Sequence, residues 1–321
     1  MEIGKRRIKP GIEDAVRKGL LRESKFLPEW IAMDQSGREL FSEIAKLPEF
    51  YLSNSIGELS RLYNKAIAYN LKDESKRWNV IEWLDHPLQS SSLVCEMLNA
   101  GIAVSYFPVT NSQHLAEYNN EKLFSLSSKI QLKDPSPDFT DAFEEIPEGG
   151  SPSLFLIGPW AESMESDDLA VMLKAIGVRS GRKDRMILHI DLIKSPAVIE
   201  KAYYDYQGTN AVYHKNALVR MNREMGANFD LKQFEYWPIY DAVTGSCKRY
   251  LVSQSEHVVK FQRPDFQVKF NPWETISIGS SQKYDNEMIT GLLQMSGAVI
   301  EKRLTDRQDS YAIFILRSVR M

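Results

Sequence analysis

The middle of the chain alternates short apolar runs with amphipathic segments. Runs of strand length occur at Asn79–Trp83, Ile102–Val109, Leu154–Ile157 and Met186–Ile193. Apolar residues in the segments between them recur at helical spacing. Strands that alternate with helices in this way predict a parallel sheet wound by right-handed crossovers.

The two ends of the chain show other patterns. The first sixty residues read as helices, and Ser55-x-x-Glu58 predicts a capping box near the start of a helix that runs to about Asn70. At the other end, a helix over Glu287–Ser296 precedes strands over Ala298–Leu304 and Tyr311–Leu316. The short turn between those strands predicts an antiparallel hairpin on a mostly parallel sheet.

After Pro196 the regular alternation of strand and helix patterns stops, which indicates a second domain. Helical patterns over Ala197–Tyr206 and Ala211–Met225 precede β-like runs, among them Lys248–Phe261 and Phe266–Phe270. These runs predict antiparallel strands of an inserted layer. We therefore expect residues 60–193 and 283–321 to form one domain and residues 1–59 and 194–282 to form the other, with a ligand cleft between them. The most loop-like interval is Lys133–Pro152.

Composition narrows the class of protein. The 321 residues are 43% hydrophobic and 11% aromatic, enough for a sizeable core. Forty basic and 43 acidic residues give a net charge of -3 without a basic stripe, so we expect neither a nucleic acid nor a membrane surface as partner. Cys95 and Cys247 lie far apart, which favours a reducing compartment. With a charged start and no long apolar stretch, the chain is expected to be soluble and cytoplasmic.

Metal and nucleophile motifs are weak in this sequence. His189-x-Asp191 matches part of a non-haem iron triad, but no second histidine is assignable. The histidines at 114, 214 and 257 form no ligand spacing, so no metal is expected. Gly-x-Ser-x-Gly, P-loop and Cys-x-x-Cys motifs are absent from the sequence.

Five segments, in order and at compatible spacing, carry a family resemblance. Together they resemble the histidine Nα-methyltransferases of ergothioneine biosynthesis and their relatives that methylate other amino acids, over roughly residues 20–317. The segments are Gly37-Arg38-Glu39-Leu40-Phe41, Leu47-Pro48-Glu49-Phe50-Tyr51, Tyr106-Phe107-Pro108-Val109, Asp191-Leu192-Ile193-Lys194-Ser195-Pro196 and Asn222-Arg223-Glu224-Met225-Gly226-Ala227-Asn228-Phe229-Asp230.

The resemblance implies a fold and a reaction. The fold is α/β: a class I S-adenosylmethionine methyltransferase (Rossmann-like) domain with a mostly parallel sheet and a C-terminal antiparallel hairpin, plus a second α+β substrate domain. The reaction moves a methyl group from S-adenosylmethionine to the α-amine of an amino acid. A neutral amine attacks the sulfonium methyl in line, so the protein mainly positions the two partners.

The resemblance also implies cofactor residues, some of which are kept. Glu82 matches the family's acidic residue after the first strand of the sheet, and Asp138 with Phe139 matches its adenine-binding pair. Leu84 and His86 stand where the family has glycines.

A further departure concerns the ribose. Thr110 replaces the acidic residue that grips the ribose hydroxyls in the family. Losing those hydrogen bonds and the glycine turn weakens binding by about 10²- to 10⁴-fold, enough to turn micromolar affinity into millimolar.

The resemblance also implies residues that bind the substrate. Tyr203 matches a family tyrosine that binds the substrate carboxylate, and Ser163 stands where an asparagine of the family holds the substrate amine. Ser281 matches the family serine that recognises the imidazole ring of histidine. Gly279 replaces the glutamate that confers histidine specificity. Arg249 is placed in the same pocket, where its charge suits an anionic ligand. The expected partner is a small amino-acid-like molecule other than histidine.

Two classes of function remain open at this point, with no catalytic residue assigned. One is a methyltransferase acting on the amine of such a molecule. The other is a pseudo-methyltransferase that has lost the cofactor and binds a ligand or regulates a protein partner. An altered enzyme that uses the same cleft for an anionic ligand is a third possibility.

Overall fold

The computed structural model describes residues 11–84, 91–110, 113–136, 139–146 and 150–318. The chain divides into two compact units. Unit 1 comprises Met1–Tyr51 and Lys194–Ser281, and unit 2 comprises Leu52–Ile193 and Gln282–Met321.

Helices and strands alternate through most of the described residues. The α-helices in chain order are α1 (Ile12–Leu20), α2 (Gln35–Ile44), α3 (Tyr51–Glu74), α4 (Ser92–Asn99), α5 (Gln113–Leu126), α6 (Phe139–Glu144), α7 (Ser166–Arg179), α8 (Pro196–Tyr203), α9 (Thr209–Met225) and α10 (Asn286–Ser296). Short 3₁₀ helices occupy Glu29–Ala32, Pro159–Ser163 and Leu231–Gln233.

The strands follow the same chain order. They are β1 (Lys25–Phe26), β2 (Arg77–Trp83), β3 (Ala103–Val109), β4 (Ile130–Leu132), β5 (Ser153–Ile157), β6 (Arg185–Asp191), β7 (Phe234–Asp241), β8 (Ser246–Ser253), β9 (His257–Gln262), β10 (Asp265–Phe270), β11 (Thr275–Gln282), β12 (Ala298–Thr305) and β13 (Tyr311–Ser318).

Unit 2 is built on a seven-stranded sheet in the order β12-β13-β6-β5-β2-β3-β4. The strands from β6 to β4 are parallel, whereas β13 runs antiparallel to both β6 and β12. The parallel strands are buried almost continuously, as expected for strands covered by helices on both faces. The predicted α/β class and the C-terminal hairpin are confirmed.

One hydrophobic cluster of unit 2 lies on one face of this sheet. Ile81, Phe155 and Phe314 from the strands pack with Leu173 from α7 and Leu292 from α10, all of them buried. This core holds the parallel strands in register, so the residues at their carboxyl ends have fixed positions.

Unit 1 contains two smaller sheets. A four-stranded sheet has the order β1-β11-β8-β7, and β9 pairs with β10 in an antiparallel ribbon. Helix α9 ends at Gly226, whose φ of 62° is the left-handed conformation that a glycine C-cap provides. Phe229, after this cap, packs edge to face on Phe234 and Phe261.

Three local expectations were wrong. Ser55 does not cap a helix, because α3 begins at Tyr51 and the Ser55 hydroxyl donates 2.7 Å to Asp306 Oδ2. The run Lys248–Phe261 is not one strand but parts of β8 and β9, which belong to different sheets. The loop-like interval Lys133–Pro152 contains α6.

Within the described ranges, no helix combines the length and the apolar composition that a bilayer crossing requires.

Candidate functional site

A buried hydrogen-bond network surrounds Glu82, near the carboxyl end of β2. Ser91 Oγ and Tyr106 OH each donate to Glu82 Oε2 at 2.6 Å. Asn119 Nδ2 in turn donates to Ser91 Oγ at 2.7 Å and to Tyr106 OH at 2.6 Å. Burial raises the pKa of Glu82, while the two donors oppose that rise. The network fixes this carboxyl at the edge where parallel α/β sheets bind ligands.

Glu82 also lines a pocket within unit 2. The pocket has a volume of about 60 Å³, and its lining includes Asn64, Gly158, Pro159 and His189. Burial lowers the pKa of His189 to about 4, so its ring is neutral at pH 7. His189 Nδ1 is buried and makes no hydrogen bond with the described residues. A polar pocket with an unsatisfied ring nitrogen can bind water or a polar ligand group.

Phe139 lies on the other face of β2. Its ring packs edge to face on Trp83, with centroids 5.2 Å apart, and joins the apolar core. Because successive strand residues point to opposite faces, Trp83 points away from Glu82, and Phe139 lies on the face of β2 opposite the Glu82 network. Asp138, its expected partner, lies outside the described residues.

The cofactor positions that depart from the family are buried where the structure describes them. Leu84 is 1% exposed, and its amide donates 2.8 Å to Val109 O. Thr110 is 4% exposed, and its amide donates 2.8 Å to Ser136 O. His86 lies outside the described residues.

A second charged cluster in unit 2 joins three elements. Lys283 Nζ lies 2.7 Å from Asp191 Oδ2, at the end of β6, and 3.0 Å from Glu162 Oε2, in the 3₁₀ helix after β5. Burial raises the pKa of Glu162 to about 7; the Lys283 charge opposes this rise and Asp191 adds to it. Ser163, the expected amine-binding residue, follows Glu162 and is exposed.

Unit 1 brings together three of the expected substrate residues, which are Arg249, Ser281 and Tyr203. Arg249 Nη1 donates 2.7 Å to Ser281 Oγ, and its Nη2 donates 3.0 Å to Glu29 Oε2. The guanidinium carbon lies 5.5 Å from the centre of the Tyr203 ring. Burial lowers the pKa of Arg249, but Glu29 together with Tyr203, Tyr236 and Cys247 outweighs burial and raises this pKa, so the guanidinium stays charged.

The local sequence explains why Arg249 is buried. Strand β8 alternates, and Cys247, Arg249 and Leu251 occupy its buried positions. Two polar groups here are left unsatisfied: Arg249 Nε and the Tyr236 hydroxyl are buried and make no hydrogen bond with the described residues. Such orphaned groups are costly unless a ligand or water satisfies them.

Gly279 on β11 makes room for the guanidinium. Its φ is +145°, and a Cβ there would lie 2.6 Å from Arg249 Nη2 and 3.1 Å from Glu29 Oε2. We expect Gly279→Ala to lower the free energy of unfolding by about 1–3 kcal/mol through backbone strain and this clash. Gly57→Ala is the control, because Gly57 lies in α3 with open space around it, and this variant is expected to keep or gain stability. Equal melting curves for the two variants would contradict the assigned role of Gly279.

Sequence reasoning missed Glu29, Glu162 and Lys283. For Arg249 the sequence does carry a signal, because a charged residue stands at a core-facing position of a strand whose polar and apolar residues alternate. Glu29, Glu162 and Lys283 carry no such signal, because each meets its partner only through the tertiary fold. The part of the chain that the structure describes holds no group of three or more His, Cys, Asp or Glu side chains suited to a metal ion.

The chain is similar to several known proteins. A protein from Mycobacterium tuberculosis (strain CDC 1551 / Oshkosh) named histidine N-alpha-methyltransferase is 22% identical over 299 residues, which are 93% of this chain and 92% of that protein. Ergothioneine biosynthesis protein 1 of Schizosaccharomyces pombe is 22% identical over 90% of this chain, but only 38% of that protein is covered. A solved S-adenosylmethionine-dependent methyltransferase from Clostridium acetobutylicum superposes with a TM-score of 0.41 at 10% identity, over 80% of this chain and 91% of that one.

The family match spans nearly the whole chain. The family described as "histidine-specific methyltransferase, SAM-dependent" matches residues 12–318. Its cofactor is the S-adenosylmethionine that the resemblance implied. The chain therefore belongs to the S-adenosylmethionine-dependent, histidine-specific methyltransferase family.

Proposed function

We propose that this protein is an N-methyltransferase for an amino acid other than histidine, one whose side chain carries a carboxylate or another hydrogen-bond acceptor. The observation that carries this proposal is the buried guanidinium of Arg249 beside Gly279. The resemblance places Gly279 where the family has the glutamate that confers histidine specificity. The Arg249 guanidinium, paired with Glu29, therefore lies where the family has a carboxylate, and a cationic ligand side chain is disfavoured beside it.

Glu29 is the feature that lets Arg249 accept a ligand. Its side chain is 34% exposed, whereas that of Arg249 is 4% exposed. Glu29 can therefore rotate into solvent while the guanidinium keeps its bond to Ser281. A ligand carboxylate then takes its place on Nη2 and reaches the unsatisfied Nε, in the two-bond geometry that arginine offers to carboxylates.

The residues of unit 2 support use of the family's cofactor in part. S-adenosylmethionine supplies an electrophilic methyl group and carries positive charge on its sulfonium and ammonium groups. The Glu82 carboxyl, held in a polar pocket at the carboxyl edge of the sheet, suits such a cation. Thr110 offers a hydroxyl where the family has a carboxylate, so we expect weaker binding than in the family.

Restoring the missing carboxylate tests that explanation. We expect Thr110→Asp to tighten binding of S-adenosylhomocysteine by about tenfold or more, because each hydrogen bond to a charged acceptor contributes about 1.5–3 kcal/mol. Thr110→Asn, of nearly equal size and without charge, is the control and should gain less. Titration calorimetry measures both variants. Unchanged affinity in Thr110→Asp would show that residue 110 does not face the ribose.

The second candidate function is a pseudo-methyltransferase. The burial of Leu84 and Thr110 favours it, because neither side chain is presented to solvent in the structure. Calorimetry separates the two candidates in two steps. S-adenosylhomocysteine is titrated first, and L-glutamate and L-histidine are then titrated into the saturated protein.

Each titration step tests a different part of the proposal. The proposal expects measurable S-adenosylhomocysteine binding and L-glutamate binding at least tenfold tighter than that of L-histidine. Absence of cofactor binding up to millimolar concentration would favour the pseudo-methyltransferase. Tighter binding of L-histidine would contradict the assigned specificity.

A further inference from the structure

The cluster of Glu162, Asp191 and Lys283 holds two carboxylates around one ammonium. The Lys283 and Asp191 side chains are fully buried, and that of Glu162 is 12% exposed. When all three groups are ionised, the cluster carries one surplus negative charge. Such a charge is costly in a protein interior unless a proton or a second cation balances it.

Within this cluster, Glu162 is the residue that binds the balancing proton or cation. Asp191 makes the shorter contact with Lys283, 2.7 Å against 3.0 Å, and has no exposed surface. The Lys283 charge lowers the pKa of Glu162 and Asp191 raises it, while Glu162 in turn raises the pKa of the neighbouring Tyr284. With its pKa raised to about 7, this carboxyl exchanges a proton near neutral pH.

Glu162 lies at the edge of the sheet where parallel α/β proteins bind ligands. It lies in the 3₁₀ helix that follows β5, beside the exposed Ser163, at the carboxyl edge of the parallel strands. Pro159, in the same 3₁₀ helix, lines the pocket of unit 2. His189, two residues before Asp191 on the same face of β6, lines the same pocket, and its buried Nδ1 makes no hydrogen bond with the described residues.

This inference rests on the proposed function. We propose that Glu162 binds the substrate's ammonium group as the second cation of this cluster, and that the Glu162 carboxylate accepts one proton from that ammonium. In that step an N–H bond breaks, an O–H bond forms on the Glu162 carboxyl, and the electron pair stays on nitrogen. The amine is then neutral and nucleophilic, as attack on a methyl group requires. Lys283 and Asp191 act as positioning residues, because they hold Glu162 in place.

The test follows the Glu162 carboxyl itself and needs no methyl transfer. Protein labelled with ¹³C at glutamate carboxyls is titrated from pH 4 to 9 by NMR, and Glu162→Gln identifies the resonance. Glu162→Asp, which keeps a carboxyl, serves if the amide variant does not fold. Glu165→Gln is the matched control, because Glu165 is an exposed glutamate three residues away. Methylammonium and tetramethylammonium are the probes, at equal ionic strength.

The proposal predicts a Glu162 midpoint near pH 7 that methylammonium lowers by about one to three pH units. Tetramethylammonium, which has the same charge but no N–H donor, should shift it by less than half as much. A midpoint below pH 5, or equal responses to both probes, would overturn the proposal. If Glu162 responds as expected but no amino acid is methylated, the proposed function fails while Glu162 remains an ammonium-binding carboxyl.

Discussion

Replacing Lys283 with methionine is expected to destabilise the protein by about 3–5 kcal/mol at pH 8. The substitution removes the ammonium that lies 2.7 Å from Asp191 and 3.0 Å from Glu162, and it leaves two buried carboxylates beside each other. Removing one partner of a buried ion pair costs about this much, because the remaining charge is uncompensated. Methionine has a similar length, so little of the loss arises from packing.

The dependence on pH separates charge from packing. A carboxyl whose pKa is raised by folding contributes stability below its unfolded pKa, and loses it as the pH rises through its folded pKa. The deficit of Lys283→Met should therefore shrink towards pH 5, and adding Glu162→Gln should recover part of it. Lys174→Met, at an exposed lysine of α7, is the control. A deficit that stays constant from pH 5 to pH 8 would contradict the account.

The second large effect is expected for Arg249→Met. If Arg249 binds the substrate side chain, the variant loses two charge-assisted hydrogen bonds, and kcat/KM for an acidic amino acid should fall by about 100-fold or more. The loss of stability should be smaller than for Lys283, about 1–3 kcal/mol, because the Glu29 side chain is 34% exposed and can be hydrated.

Arg249→Lys is the informative companion. It keeps the positive charge but lacks the planar fork that meets Ser281 and Glu29 together. We expect it to retain more stability than Arg249→Met while still losing most of the discrimination between L-glutamate and L-histidine. If both variants methylate L-glutamate at the wild-type rate, Arg249 is only a structural residue.

The fold was predictable because its signals are local. Apolar runs such as Ile102–Val109 and Met186–Ile193 alternate with amphipathic segments, and each lies on a central strand of the sheet. The hairpin of β12 and β13 was predictable for the same reason. Strand β4 and helix α6 were missed, since they are short and lie among prolines, where propensity carries little information.

The site was predictable only through resemblance. Arg249, Ser281 and Tyr203 were named from an alignment, and they lie together in unit 1. The ion pair with Glu29 was not predictable, because its two residues are 220 positions apart in sequence. The same holds for Lys283 and Glu162, which are 121 positions apart. No sequence pattern encodes such a pair; it appears only once the strands are in register.

Methyl transfer to a panel of the twenty amino acids, followed by mass spectrometry with methyl-deuterated S-adenosylmethionine, tests the central claim most directly. We expect a deuteromethyl group on the α-amine of an amino acid with an acceptor side chain, with L-aspartate, L-glutamate and their amides as leading candidates. We also expect L-histidine to be a poor substrate. Preferred methylation of L-histidine, or no transfer to any amino acid by folded protein, would contradict that claim.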